Sequence, residues 1–169
     1  AIRQDAEILG CLWARTFPDK FGPILGEKAE AVLSDWLRLS ERHLQTTTVA
    51  EIEGTVVGFV VIDAPATPRP DDGRWLWRAL QLHNGIFGAL RGLILMALVD
   101  SNHQRSSDEV YIEMLGVAPG WRGRGIARAL MGHAEAVAQA AGATWLTLEV
   151  VSDNQPAIQL YEKQDFKIR

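Results

Sequence analysis

Residues 116–127 read Gly116-Val117-Ala118-Pro119-Gly120-Trp121-Arg122-Gly123-Arg124-Gly125-Ile126-Ala127. Just upstream, Glu109 to Val117 alternates as a β-strand. Downstream, Gly125 to Ala141 carries Ile126, Leu130, Met131, Ala134, Val137 and Ala138 on one side, the period of a helix, and Gly142 closes it. A strand that turns directly into a helix gathers unpaired backbone N–H groups at the positive end of the helix dipole. Such a place binds phosphate, and Gly123 and Gly125 let a ligand come close to the backbone. No Gly-Lys-Ser/Thr follows, and the glycine spacing is not that of the dinucleotide fingerprint. On the loop alone, a tight turn that needs glycine for geometry and a phosphate site are equally good readings.

Working outward, Thr144 to Val151 is a second strand, and Gln155 to Lys163 is a short helix capped by Asp153 or Asn154. Phe166 to Ile168 begins a last strand. Toward the N-terminus, Asp5 to Phe17 has helical spacing at Ile8, Leu9, Leu12 and Trp13, and Phe17-Pro18 ends it. A second helix runs from Glu27 to His43. Thr47 to Glu53 and Thr55 to Ala64 form a hairpin joined at Glu53-Gly54. Pro65 to Gly73 is a loop, and Trp75 to Asp100 makes two helical pieces bent near Asn84-Gly85. The order predicts a mixed α/β fold.

The 169 residues suit one domain, 1–169, with a real core. Hydrophobic residues at 47% and charged ones at 22% exclude a disordered or fibrous chain. The single cysteine, Cys11, excludes an internal disulfide and a thiolate-rich zinc site. Gly85 to Val99 is broken by Arg91 and too short for a membrane span, and the polar start lacks a signal peptide, so a cytoplasmic location is expected. A net charge of −4 argues against nucleic acid and suits a cationic substrate.

Arg122-x-x-Gly125-x-Ala127 resembles the coenzyme-A pyrophosphate loop of the GNAT superfamily of N-acetyltransferases. Leu148-Glu149-Val150, then Asn154, Ala157-Ile158, Leu160-Tyr161-Glu162 and Phe166 resemble that family's second signature at matching intervals. The match is closest to the protein-N-terminal, ribosomal-protein alanine branch. Ala127 and Asp165 stand where the family commonly has glycine; at a positive φ, aspartate is among the better tolerated residues. The opening Ile2-Arg3-Gln4-Asp5-Ala6-Glu7 is similar to the family's start without its first strand, and the chain stops before the usual final hairpin strand. The implied fold is a largely antiparallel sheet flanked by helices, with a helical insert, 74–101, between the third and fourth strands.

The resemblance implies an acetyl-CoA-dependent transfer to a primary amine by direct attack in a ternary complex, with no metal. Leu115, Gly116 and Val117 would lie along the acetyl and pantetheine arm, where an N–H stabilises the developing oxyanion. Main-chain groups of Arg122, Gly123, Arg124, Gly125, Ile126 and Ala127 would hold the pyrophosphate, and Asn154 the pantetheine. Glu149, expected on a strand face with Trp145, Thr147 and Val151, would be the general base through a water. Tyr161 would be the acid that protonates the leaving thiolate. Glu113, expected on a face with Tyr111, Leu115 and Val117, occupies the family's other base position and ranks behind Glu149.

Each residue also has a plainer role: Glu113 on a solvated strand face, Tyr161 in the core, Asn154 as a helix cap. His43, His83, His103 and His133 lack metal-ligand spacing, Cys11 is expected to be inert apolar packing, and Trp75 and Trp77 to be buried. The acceptor is a small-molecule amine or a peptide N-terminus, with the Glu149/Asn154/Tyr161 spacing leaning to the latter. The insert is expected to pack on its own sheet or to form a homodimer rather than act as a lid. A non-catalytic acyl-CoA sensor, a longer-acyl transferase and a structural dimer are the competing functions.

Overall fold

A computed structural model describes residues 1–65, 73–99 and 106–167. The chain begins with four helices: α1 (Ala6–Thr16), α2 (Pro18–Leu25), α3 (Ala29–Leu39) and α4 (Glu41–Thr46). Strands β1 (Thr47–Ile52) and β2 (Thr55–Asp63) follow, then helix α5 (Gly73–Val99) and strand β3 (Glu109–Val117). Helix α6 (Ile126–Ala140), strand β4 (Trp145–Leu148) and helix α7 (Gln155–Glu162) complete it. The sheet order is β1-β2-β3-β4, antiparallel except for the last pair, β3 with β4, which is parallel.

The β-branched run of β2 explains why it sits centrally. From Val56 to Asp63 every residue is buried, so both of its faces are covered. On one face Phe59 and Val61 pack with Trp13, Leu33 and Leu80 from the helical layer of α1, α3 and α5. On the other, Val60 and Ile62 pack with Leu130, Met131 and Ala134 of α6. Trp13 is fully buried, with its ring 5.9 Å from that of Phe59 and 6.5 Å from that of Phe21. Helices α1 and α3 touch closely because Gly10 has no side chain; a Cβ there would meet Ser34 Oγ at 2.2 Å.

Several elements differ from the sequence expectation. The helix expected over Glu27–His43 is interrupted at Ser40, whose extended backbone (ψ 99°) and hydroxyl, accepting from the His43 N–H, cap α4 instead. Helix α2 occupies a stretch to which the sequence pattern assigns no element: Pro18 sits in its first turn, where a missing N–H costs nothing, and Phe21, Ile24 and Leu25 are its buried stripe. Strand β4 ends at Leu148 rather than Val151, and Phe166 and Lys167 form no strand. Ile168, His103 and most of the Pro65–Gly73 loop lie outside the described residues.

The insert falls between the second and third strands, not the third and fourth, because the described residues before Thr47 contain no strand. Its bend comes where expected, at Gly85 (φ 66°, ψ −178°). A Cβ on Gly92 would lie 3.0 Å from Leu80, although a straight helix would separate these positions by about 18 Å. The two pieces therefore double back as a helical hairpin. His83 Nε2 lies 2.8 Å from Asp35 Oδ2, and Lys28 donates to the His83 carbonyl, fixing the first piece to α3. No helix among the described residues is long and apolar enough to cross a membrane.

Candidate active site

Strands β3 and β4 run side by side only from Glu109↔Trp145 to Ile112↔Leu148. Beyond Ile112, β3 continues for five residues while β4 has ended, so the sheet opens along Glu113–Val117. The opening begins at a bulge. Ile112 faces Ile62 and Met114 faces Val61, which leaves Glu113 as the extra residue of β3. The bulge reverses the alternation of the strand: Val110 and Ile112 pack under α6, whereas Met114 joins the cluster of Trp13 and Phe59. Glu113 and Leu115 are thus not on the single face expected for them; Leu115 packs with the α6 cluster.

The Ala118 N–H donates to the Val57 carbonyl at 2.9 Å, continuing the β2–β3 ladder. Antiparallel pairing alternates inward and outward groups, so the amides of Leu115 and Val117 face away from β2, into the opening. Gly116 between them is required by crowding, since a Cβ would lie 2.6 Å from the Phe59 ring and 2.9 Å from Thr16 Cγ2.

The chain then makes a 3-10 turn, Pro119–Trp121, and enters α6 through Arg122–Gly125. Arg122 Nε donates to the Val117 carbonyl at 3.2 Å, pinning the turn to the strand end. The Arg124 guanidinium lies over the Trp121 ring, 4.7 Å from its centroid. Gly123 (φ 75°) and Gly125 (φ 80°) adopt the left-handed conformation that glycine enters without strain. Nothing lies within 4 Å of a Cβ built on either, so their surroundings are open. No side chain caps α6, and its first turn has no acidic residue. The first amides of the helix, from Ile126 and Ala127 onward, therefore keep donors and dipole available to an anion. This cradle suits a pyrophosphate.

Asn154 caps α7, with Oδ1 accepting from the Ala157 N–H at 3.3 Å. Glu149 lies just past the end of β4 and is exposed, so it does not share a strand face with Thr147 and Val151 among apolar neighbours. Tyr161 packs half-buried beside Phe166, ring centroids 6.0 Å apart, and burial pushes its phenol above the ordinary value. Glu149 and Tyr161 line one open cleft of about 1520 Å³, together with Thr147, Leu148 and Ile158. The Leu115–Ala127 segment does not line that cleft.

Glu113 is placed differently. Its Oε1 lies 3.0 Å from Arg42 Nη2, which also lies 3.3 Å from Asp63 Oδ2. Neither Arg42 nor Asp63 stood out in the sequence. The one available signal was an aspartate ending a wholly apolar strand, Val56–Asp63, since a buried carboxylate needs a cation. Of the other residues, His43 is a core histidine, bonded to Ser40 Oγ at 2.8 Å, with its ring centroid 4.4 Å from that of Trp36. Cys11 is not simple apolar packing; its thiol donates to Glu30 Oε2 at 3.2 Å. Trp77 packs partly buried on the helical core, while Trp75 lies beneath the Arg74 guanidinium. No group of His, Cys, Asp and Glu among the described residues could hold a metal ion.

Comparison with known proteins agrees with this geometry. The model of the acetyltransferase (GNAT) family matches residues 11–166. Streptothricin acetyltransferase of Streptomyces lavendulae is 35% identical over 136 residues, covering 72% of this chain and 69% of that protein. The crystal structure of an N-acetyltransferase from Staphylococcus aureus Mu50 superposes with a TM-score of 0.72 at 19% identity, over 100% of this chain and 89% of that one. An aminoglycoside N-acetyltransferase in complex with CoA gives a TM-score of 0.59 at 14% identity, over 99% of this chain and 85% of that one. With the family matched from the first helix to the last, and the strand opening and uncapped turn in place, the chain belongs to the GNAT family and is an acetyl-CoA-dependent N-acetyltransferase.

Proposed function

We propose that the enzyme binds acetyl-CoA and a small cationic amine together and transfers the acetyl group directly between them. The observation that carries this reading is the departure of β4 from β3 at Leu148. It leaves the Leu115–Val117 edge unpaired by β4 and in line with the open N-terminus of α6. One thioester-bearing arm lies along that edge, its pyrophosphate on the amides of Arg122–Ala127. The Leu115 or Val117 N–H stabilises the charge that develops on the carbonyl oxygen. Asn154 bonds the arm as well as capping α7.

Glu149, through a water, accepts the proton that the amine must lose before its nitrogen attacks the carbonyl carbon. The C–N bond forms first and moves charge onto the carbonyl oxygen, and the C–S bond breaks as that charge returns. Tyr161 gives its proton to the departing thiolate and regains one from solvent; its raised pKa keeps that proton in place at neutral pH. Glu113, engaged by Arg42, positions the bulge rather than acting as the base. A cationic acceptor fits the net charge of −4 and the streptothricin acetyltransferase relative, and is preferred here to a peptide N-terminus.

Titration calorimetry with acetyl-CoA, with ATP as control, tests the coenzyme site first. Binding of acetyl-CoA but not of ATP, followed by thiol release with polyamino compounds in preference to peptide N-termini, is the expected outcome. Absence of binding to the folded protein overturns the reading, and turnover confined to peptides overturns the acceptor.

A further inference from the structure

The outer face of α5 is apolar and open. Ile86, Phe87, Leu90 and Ile94 are exposed to 67%, 90%, 53% and 55% of their surface. The inner side of the same piece is already filled, with Ala89 buried and Gly92 seated against Leu80. The exposed row is therefore not waiting for its own core. Ile86, Leu90 and Ile94 stand four residues apart, which makes a continuous ridge with grooves on either side. From Gly73 to Val99 the sequence has three arginines and no aspartate or glutamate, so covering this face would bury no carboxylate.

We propose that this face docks on the same face of a second copy of the chain, in a two-fold helix pair with Leu90 near the axis. The four side chains leave roughly 500 Å² of apolar surface open, in the upper half of the range for a monomer's largest patch. Pairing two such faces removes up to roughly 1000 Å² from water, the threshold that a specific interface should clear. A ridge of four-residue spacing fits the groove of an identical helix at a crossing near −50°, the commonest helix packing. A lipid surface is the poorer match, because a helix lying on lipid turns a polar, basic face to water, and here the opposite side is packed against protein.

Sedimentation velocity over about 1 to 100 µM gives twice the chain mass if the proposal holds. The double variant Phe87→Glu/Leu90→Glu then sediments as a monomer, with an unchanged circular dichroism spectrum and unchanged acetyl-CoA binding. Oxidation of Leu90→Cys yields a covalent dimer at the axis, whereas the wild type, with only Cys11, yields none. A wild-type monomer throughout this range overturns the proposal, as does a dimer that survives the double variant. A monomer that floats with phosphatidylglycerol vesicles through Phe87 and Leu90 also overturns it and assigns the face to lipid.

Discussion

Arg42 reaches from α4 to the bulge of β3, its Nη2 lying 3.0 Å from Glu113 Oε1. The same nitrogen lies 3.3 Å from Asp63 Oδ2, so one guanidinium ties the end of β2 to the point where β3 leaves β4. The three side chains are exposed to 13%, 19% and 1%, so solvent screens them little. Removing the cation takes a positive partner from each of two carboxylates in a poorly hydrated place. Arg42→Met is expected to lower the unfolding free energy by about 3 kcal/mol, measured by denaturant titration at unchanged slope. Arg42→Lys should recover part of that, since a single ammonium restores the charge but not the planar fork. A loss below about 0.5 kcal/mol in Arg42→Met would show the contacts to be no stronger than a surface pair.

The acid and base assignments predict a different signature. Glu149→Gln and Tyr161→Phe should each lower kcat by roughly 10²-fold or more while leaving acetyl-CoA affinity within about twofold. Burial raises the Tyr161 pKa above its ordinary value of 10.0, so the acid form persists across neutral pH. Activity that depends on it falls only as pH rises through the raised value, and Tyr161→Phe should lack that alkaline limb. The stability effect has the same sign: the folded state holds the proton more tightly, so its advantage is present below about pH 10 and lost above it. Wild-type kcat in both variants would remove them from the proton transfers.

Two kinds of glycine separate packing from binding. At Gly116 a methyl group would meet the Phe59 ring at 2.6 Å, so Gly116→Ala should cost about 1–3 kcal/mol of stability, read from the unfolding midpoint. Gly125 has open surroundings but φ 80°, so Gly125→Ala should cost only about 1–2 kcal/mol. Its larger effect belongs to the anion cradle, with acetyl-CoA binding weakened about tenfold or more in calorimetry. Loss of stability without loss of affinity in Gly125→Ala would leave the turn as geometry alone.

What the amino-acid order reveals follows the range of the interactions involved. The stripe of α6, the glycine turn before it and the Asn154 cap are local and were readable. The Gly85 bend was readable too, because three glycines weaken one apolar helix. The bulge at Glu113 was not. An extra residue switches the faces of the residues beyond it without any local mark, and shows only against the register of β2. Arg42 pairs with a residue 71 positions away, which no local pattern encodes. Ser40 broke a continuous apolar stripe by capping the next helix with its hydroxyl, a local choice that the periodicity of the neighbours hid. Strand β4 read three residues too long because Val150 and Val151 keep β-branched character after the pairing with β3 has ended at Leu148.

The thiol of Cys11 offers a test of electrostatics away from the active site. Its Sγ donates to Glu30 Oε2 at 3.2 Å, and Arg15 Nε donates to the other carboxylate oxygen at 3.0 Å. Burial, then the hydrogen bond and negative charge of Glu30, push the thiol pKa above 9.0, with Arg15 partly opposing. At neutral pH the nucleophilic thiolate is therefore scarcer than in a free cysteine. Reaction with a disulfide reagent should be slower than for a free thiol and should rise to higher pH before levelling. Glu30→Gln removes the negative charge and should shift that profile to lower pH. Arg15→Ala removes the cation and should shift it higher. Opposite movements of the two variants identify the carboxylate as the controlling charge; identical profiles would mean that burial alone sets the reactivity.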